Sequence, residues 1–178
     1  MFLYILIFIF FRTIKKNGFL SQTIQTTFKV ESQVEEAFVK ALDRIGKEAE
    51  DAIEKGVTFI ILSDRGVDQH HGALPSLLAI GAVHQHLVRK GLRTRIGLIL
   101  EVAEPREVHH FALLFGYGAD CINPYLAYDA VRYLIKEKHL DLGLEKALAN
   151  YIKAVNKGIL KILSKMGIST LSSYRAAQ

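Results

Sequence analysis

Residues 57–62, VTFIIL, are apolar and β-branched, and the polar run Ser63-Asp64-Arg65-Gly66 follows them at once. A strand of this composition offers no polar face to water. It needs cover on both sides, as strands in a parallel sheet have. The requirement limits the fold more than any other feature of the chain, because a parallel strand needs a crossover helix before and after it.

The flanking sequence supplies those helices. Residues 23–30 (TIQTTFKV) alternate and are β-branched, which predicts a strand. Glu31-Ser32 then offers an N-cap, with Glu35 at capping-box spacing from Ser32. Val34, Phe38, Ala41, Ile45 and Ala49 follow at helical spacing, opposed by Lys40, Asp43, Arg44, Lys47 and Glu48. Gly56 is placed to close this helix. After the 57–62 strand, a polar loop is expected to run to Leu74, and Pro75 opens a helix ending at Gly91. Residues 94–102 read as the next strand, and Pro105 opens a helix towards Gly116. Residues 119–123 read as a fourth strand, and Pro124 leads into a helix reaching about Lys138. Residues 144–166 form a long final helix that Gly167 terminates. Repeated strand–helix units with glycine at helix ends predict an α/β fold on a parallel sheet, either an open sheet or part of a (β/α) barrel.

The first eleven residues, MFLYILIFIFF, do not share this pattern. At ~1.5 Å per residue they are too short to cross a ~30 Å hydrocarbon layer as a helix. Arg12, Lys15 and Lys16 follow the apolar run, whereas a secretory signal carries its positive charge ahead of it. Residues 1–19 are therefore expected to be an appendage to a domain spanning 20–178, with no membrane span.

Composition narrows the chemistry. With 178 residues the chain is long enough for one domain with a real core. The single cysteine, Cys121, excludes an internal disulfide framework, a cysteine zinc ribbon and a cysteine-held iron–sulfur cluster within the chain. Its place in the 119–123 strand predicts a buried apolar filler. The net charge of +5 is mild. Its clearest cluster is Lys153, Lys157, Lys161 and Lys165, with few aromatic residues interleaved, a pattern that argues against nucleic acid. Neither His84 with His86 nor His109 with His110 has the spacing of joint helical metal ligands. Gly116-Tyr117-Gly118 precedes a strand, so it is a helix-to-strand turn and not a dinucleotide fingerprint.

In parallel α/β folds, ligands and partners gather beyond the carboxyl ends of the strands. Here those ends carry Asp64, Arg65, Glu101 and Asn123, and the following loops and helix starts add Asp68, His70, His71, Glu104, Arg106, His109 and His110. On adjacent strands these groups converge on one polar crevice. Such groups also serve to satisfy loop backbone and helix ends. No complete acid–base or nucleophile constellation can be assembled from them, so no catalytic residue is assigned.

Three stretches carry a family resemblance. The runs SDRGVD, RIGLILEVAEPREVHHFALLFGYGAD with INPYLA, and KMGIST with SYRAAQ resemble the central domain of the large chain of glutamate synthase, over roughly residues 20–178. The resemblance implies a fragment of an enzyme that makes L-glutamate from glutamine-derived ammonia and 2-oxoglutarate. In that enzyme the segment links a glutaminase domain to an FMN-binding synthase domain, the electrons pass through an iron–sulfur cluster, and ferredoxin or NADPH is the donor. It implies a cytoplasmic setting, or a plastid stroma in a plastid-bearing source. FMN and cluster belong to the full-length family, and no cofactor or metal is assigned to this chain. Interdomain contact is expected at Asp64, Arg65, Glu101, Arg106, His109 and Asn123 and along Lys153, Lys157, Lys161 and Lys165. The contrasting expectation is a free-standing small-molecule-binding or interaction module of the same α/β fold. One departure stands out: Ala176 occupies the position where the family's S-Y-R-G-A-Q run has glycine.

Overall fold

The computed structural model describes residues 15–16, 18–30 and 33–177. The apolar 1–11 segment and the Glu31-Ser32 cap lie outside them. The first helix, α1 (Val34–Glu54), begins after Gln33, whose side chain makes no cap hydrogen bond.

Four strands run parallel in sequential order: β2 (Phe19–Gln25), β4 (Phe59–Ser63), β6 (Gly97–Glu101) and β7 (Cys121–Asn123). A short antiparallel strand, β1 (Lys15–Lys16), borders β2. With each strand laid beside its predecessor, the crossovers all advance in one direction. Right-handed connections then place successive helices on one face. A doubly wound sheet would need a reversal of strand order. This is the order found in the arc of a (β/α) barrel.

The helices bear this out. On one face of the sheet, Ile24, Ile60, Leu62, Leu98 and Leu100 pack against Ile45, Ala49 and Ile53 of α1 and against Ile80, Val83 and Leu87 of α2 (Ser76–Arg89). Most of these side chains are wholly buried, and each large one contributes about 1.5–3 kcal/mol. A smaller second core lies between α3 (Val108–Gly116) and α5 (Leu144–Met166), where Phe111 and Ala112 meet Val155, Ile159 and Leu163. Gly158 permits this approach, because a Cβ there would lie 2.3 Å from Val108 Cγ2. The helix α4 (Tyr125–Lys136) packs on α5, and a single turn, α6 (Leu171–Tyr174), leads to the C-terminal tail. Gly167 closes α5 in the left-handed region at φ +68°.

Two sequence expectations need correction. The 23–30 strand is two strands. β2 ends at Gln25, and β3 (Thr27–Lys29) pairs antiparallel with β5 (His71–Ala73) in a second sheet, inside the stretch read as loop. The break at Thr26 is fixed from three sides. Its N–H donates to the Ser63 carbonyl, its carbonyl accepts from Leu74 N–H, and Arg44 Nη2 donates to the carbonyls of Gln25 and Thr27. A local period cannot register a clamp from a distant helix. Cys121 is exposed, not buried, because β7 is the edge strand of the sheet.

Candidate functional site

The strand register builds a polar row across the carboxyl end of the sheet. Gln25 pairs with Ser63, Ser63 with Glu101 and Glu101 with Asn123. The side chains one residue earlier point to the opposite face, so this row lies on the face turned away from α1 and α2. Glu101 is its centre and is 1% exposed. Ser63 Oγ donates to its Oε2 at 2.8 Å and Arg65 Nε to its Oε1 at 2.7 Å. The Arg65 guanidinium in turn lies 3.9 Å from the centre of the Tyr125 ring, at the start of α4. With its amide turned to suit its neighbours, Gln25 donates to the carbonyls of Ser63 and Arg65.

Asp64 is also buried. Its Oδ2 accepts the Ala103 N–H at 2.8 Å, and its N–H donates to the Glu101 carbonyl at 3.2 Å. Its Oδ1 receives no hydrogen bond of good geometry from a described residue, and the Tyr125 hydroxyl is the donor nearby. Burial pushes the Asp64 carboxyl above the usual aspartate range, and the Ala103 N–H offsets part of that rise. Burial and the neighbouring Asp64 push the Tyr125 phenol up to about 12. Glu104 acts at the next loop, where it accepts from the Ser76 N–H at 2.7 Å and from the Ser76 hydroxyl. It thereby caps α2 and complements that helix dipole.

Asp64, Arg65 and Glu101 are therefore brought together. Asn123 joins the row by register, and its carbonyl accepts Val102 N–H. Arg106 and His109 are exposed and make none of these contacts. The Arg106 backbone accepts from the Tyr151 hydroxyl and donates to His110 Nδ1. In the 65–73 loop, Asp68 Oδ1 accepts from the N–H groups of His70 and His71 and pairs with His71 Nδ1. Lys153, Lys157, Lys161 and Lys165 stand exposed on α5.

Sequence reasoning missed Ser63 and Tyr125, although both adjoin strand ends. It also missed a second network at the amino end of the sheet. There Asp120 Oδ2 accepts from the Leu98 N–H at 2.8 Å and from Arg93 Nη2 at 2.9 Å, and Oδ1 accepts from Arg175 Nη2. Arg93 also donates to the carbonyls of Ile96 and Gly118 and to His84 Nδ1. Next to this network an apolar groove of about 660 Å³ runs between α2, α3 and the tail, lined by Leu77, Leu78, Leu113, Tyr117, Met166 and Tyr174 among others.

Among the described residues no group of three or more histidine, cysteine, aspartate and glutamate side chains is placed to hold a metal. No described helix is long and apolar enough to cross a membrane.

Comparison with known proteins agrees with this architecture. A solved double mutant of flavocytochrome b2 with pyruvate bound superposes with a TM-score of 0.55 at 16% identity, covering 74% of this chain and 31% of that one. At that identity the likeness is one of fold. The large chain of NADPH glutamate synthase from Bacillus subtilis is 47% identical over 167 residues, which are 94% of this chain and 11% of that protein. The NADH glutamate synthase of Schizosaccharomyces pombe is 45% identical over 155 residues, 86% of this chain and 7% of that one. Ferredoxin-dependent glutamate synthase 1 of Arabidopsis thaliana, described as chloroplastic and mitochondrial, is 41% identical over 169 residues, 88% of this chain and 10% of that protein. The chain thus spans about a tenth of the length of these relatives. The family model for the glutamate synthase central domain matches residues 7–178, so the chain belongs to the family of glutamate synthase central domains.

Proposed function

We propose that this chain serves as the connecting part of a glutamate synthase, holding a glutamine-hydrolysing domain and an FMN-binding synthase domain in the arrangement that couples them. The observation that carries this reading is the family match over nearly the whole chain, at about a tenth of the relatives' length. The geometry at the carboxyl end supports it. Glu101 uses both its oxygens within the chain and Asp64 uses one, so the row is spent on holding its own loops in place. A site arranged for substrate leaves such groups free to meet it.

On this reading the parent enzyme forms L-glutamate from 2-oxoglutarate and ammonia released from glutamine. FMN and an iron–sulfur cluster are held by other domains. One cysteine cannot supply the thiolates of a cluster. Asp64, Arg65, Glu101, Arg106, His109 and Asn123 then set the shape of the surface met by neighbouring domains.

The test uses the full-length enzyme. Arg65→Ala and Arg106→Ala are expected to leave glutamine hydrolysis running while glutamate formation per glutamine consumed falls. Unchanged coupling in both variants would remove the carboxyl end from the interdomain contact. An immunoblot of source cells against residues 100–178 tests the reading as a whole. It requires a band far above 20 kDa.

The apolar groove favours a second reading, a free-standing small-molecule-binding module. That reading requires a stable 178-residue monomer with saturable ligand binding.

A further inference from the structure

The outward face of α5 carries charge that nothing in the described structure balances. The helix holds Lys146, Lys153, Lys157, Lys161 and Lys165, and its one acid is Glu145 in the first turn. Its inward face is occupied: Ala147, Leu148, Val155, Ile159 and Leu163 are buried, and the helix packs on α3 and α4. The four lysines from 153 to 165 are exposed. None forms an ion pair with a described residue, whereas Lys40 and Lys90 pair with Glu36 and Glu50. At ~1.5 Å per residue the ridge is about 18 Å long. Its i,i+4 repulsions disfavour the helix at every step.

Leu160 stands beside this ridge, 64% exposed, the most exposed large apolar side chain among the described residues. Its neighbours on the exposed face, three or four residues away, are Asn156, Lys157 and Ser164, and Lys153 lies two turns earlier on the same side. A lone apolar anchor beside a ridge of unpaired cations discriminates between partner classes. A membrane surface needs an apolar stripe, and that of α5 is already packed against α3. Single-stranded nucleic acid needs stacking groups, and this face offers an aliphatic side chain instead. An acidic protein surface with an apolar recess satisfies both features, since a desolvated anchor within a polar rim is the ordinary anatomy of a protein interface.

We propose that this face of α5 docks on an acidic protein surface, with carboxylates meeting Lys153, Lys157, Lys161 and Lys165 and an apolar recess taking Leu160. Resting on the reading above, that surface belongs to a neighbouring part of the same enzyme.

Zero-length carbodiimide coupling followed by peptide mass spectrometry tests this in the native full-length protein. Amide cross-links from Lys157 or Lys161 to Asp or Glu outside residues 15–177 are expected. Acetylation of the four lysines should be slowed several-fold relative to the urea-unfolded protein, and about 0.5 M salt should restore it. Leu160→Glu, at a side chain that is already exposed, should abolish the cross-links without loss of helix signal. Full-rate acetylation in the native protein overturns the proposal. So does protection that nuclease treatment removes, which would assign the face to nucleic acid. Cross-links to a separate acidic protein, together with an immunoblot band near 20 kDa, would uphold the docking surface and overturn the parent-enzyme reading.

Discussion

The two ends of the sheet solve the problem of buried charge in opposite ways. At the carboxyl end acids dominate: Asp64 and Glu101 are almost wholly buried, and one arginine, Arg65, reaches in from the half-exposed rim. At the amino end a single acid, Asp120, is held by two arginines. The partners differ in reach as well. Ser63, Asp64 and Arg65 meet Glu101 across one pair of neighbouring strands, whereas Asp120 gathers Leu98, Arg93 and, from 55 residues further on, Arg175. The carboxyl end thus stiffens the loops where a parallel sheet presents itself to partners. The amino end fastens the last residues of the chain to the sheet. Burial of an acid at one end and of a histidine at the other also sets opposite pH responses.

Removing the hub of each network is the strongest way to break the comparison. Glu101→Ala strands the Ser63 hydroxyl and the Arg65 guanidinium and leaves a cavity in the sheet. A loss of about 3–5 kcal/mol in chemical denaturation is expected. Glu101→Gln keeps the volume and should lose less, which separates charge from packing. Asp120→Ala leaves three donors unmatched at a site that is about a quarter exposed, and about 2–3 kcal/mol is expected. Its signature is local: amide exchange in residues 171–177 should speed up with little change at the carboxyl end. Equal exchange changes at both ends would mean that the networks are one cooperative unit.

The pH dependence sharpens the contrast. Asp64 titrates above the usual aspartate range, because burial disfavours its charged form. The folded chain therefore holds more protons than the unfolded one in that window, and stability falls as pH rises from the ordinary value through the raised one. Asp64→Asn should remove that slope and cost little at neutral pH, with the amide oxygen free to accept the Ala103 N–H. A destabilisation matching that of Glu101→Gln would show that the two carboxylates are equivalent after all. His84 has the reverse sign. Burial, then Arg93 and Arg175, hold its pKa below the ordinary histidine value, and Arg93 Nε donates to its Nδ1, which fixes a neutral ring. Its contribution is present above the ordinary histidine pKa and is lost as pH falls through the depressed one. A denaturation series from neutral to mildly acidic pH should show a loss that His84→Gln diminishes.

How much of this was legible in the sequence follows from distance along the chain. The α/β class, the parallel strands and the bounds of α5 are local properties of period and punctuation. The family resemblance stood on contiguous runs. Asp64, Arg65 and Glu101 were legible because a strand end is a local event, and adjacent strands brought them together. Tyr125 was not, since nothing in PYLA says that its ring will lie under a guanidinium from another loop. The break at Thr26 escaped because Arg44, read as a solvent-facing residue of α1, reaches back to the carbonyls of Gln25 and Thr27. Asp120 escaped because its meaning lies in Arg93 and Arg175, and pairing across that separation leaves no periodic trace.

Ala176 gives the smallest effect and the finest probe of the amino-end fastening. The residue sits at φ +55°, in the left-handed region, and its N–H donates to the Gly116 carbonyl at 3.0 Å. Its neighbour Arg175 reaches Asp120, and Tyr174 lies close to Gly116. The backbone must turn here for side chain and amide to bind at once, and an L-residue with a Cβ resists that turn by about 1–2 kcal/mol. Glycine, which the resemblance leads one to expect at this position, has no such resistance, so the departure noted in the sequence carries a conformational cost. Ala176→Gly also loosens the unfolded chain, which subtracts from the gain. A net stabilisation of up to about 1 kcal/mol is therefore expected, confined to the tail. It should appear as slower amide exchange at residues 174–177 and slower proteolysis there, with global denaturation almost unmoved. If the glycine variant exchanges faster instead, the restricted backbone of Ala176 helps to hold the turn, and the fastening does not depend on Arg175 and Asp120 alone.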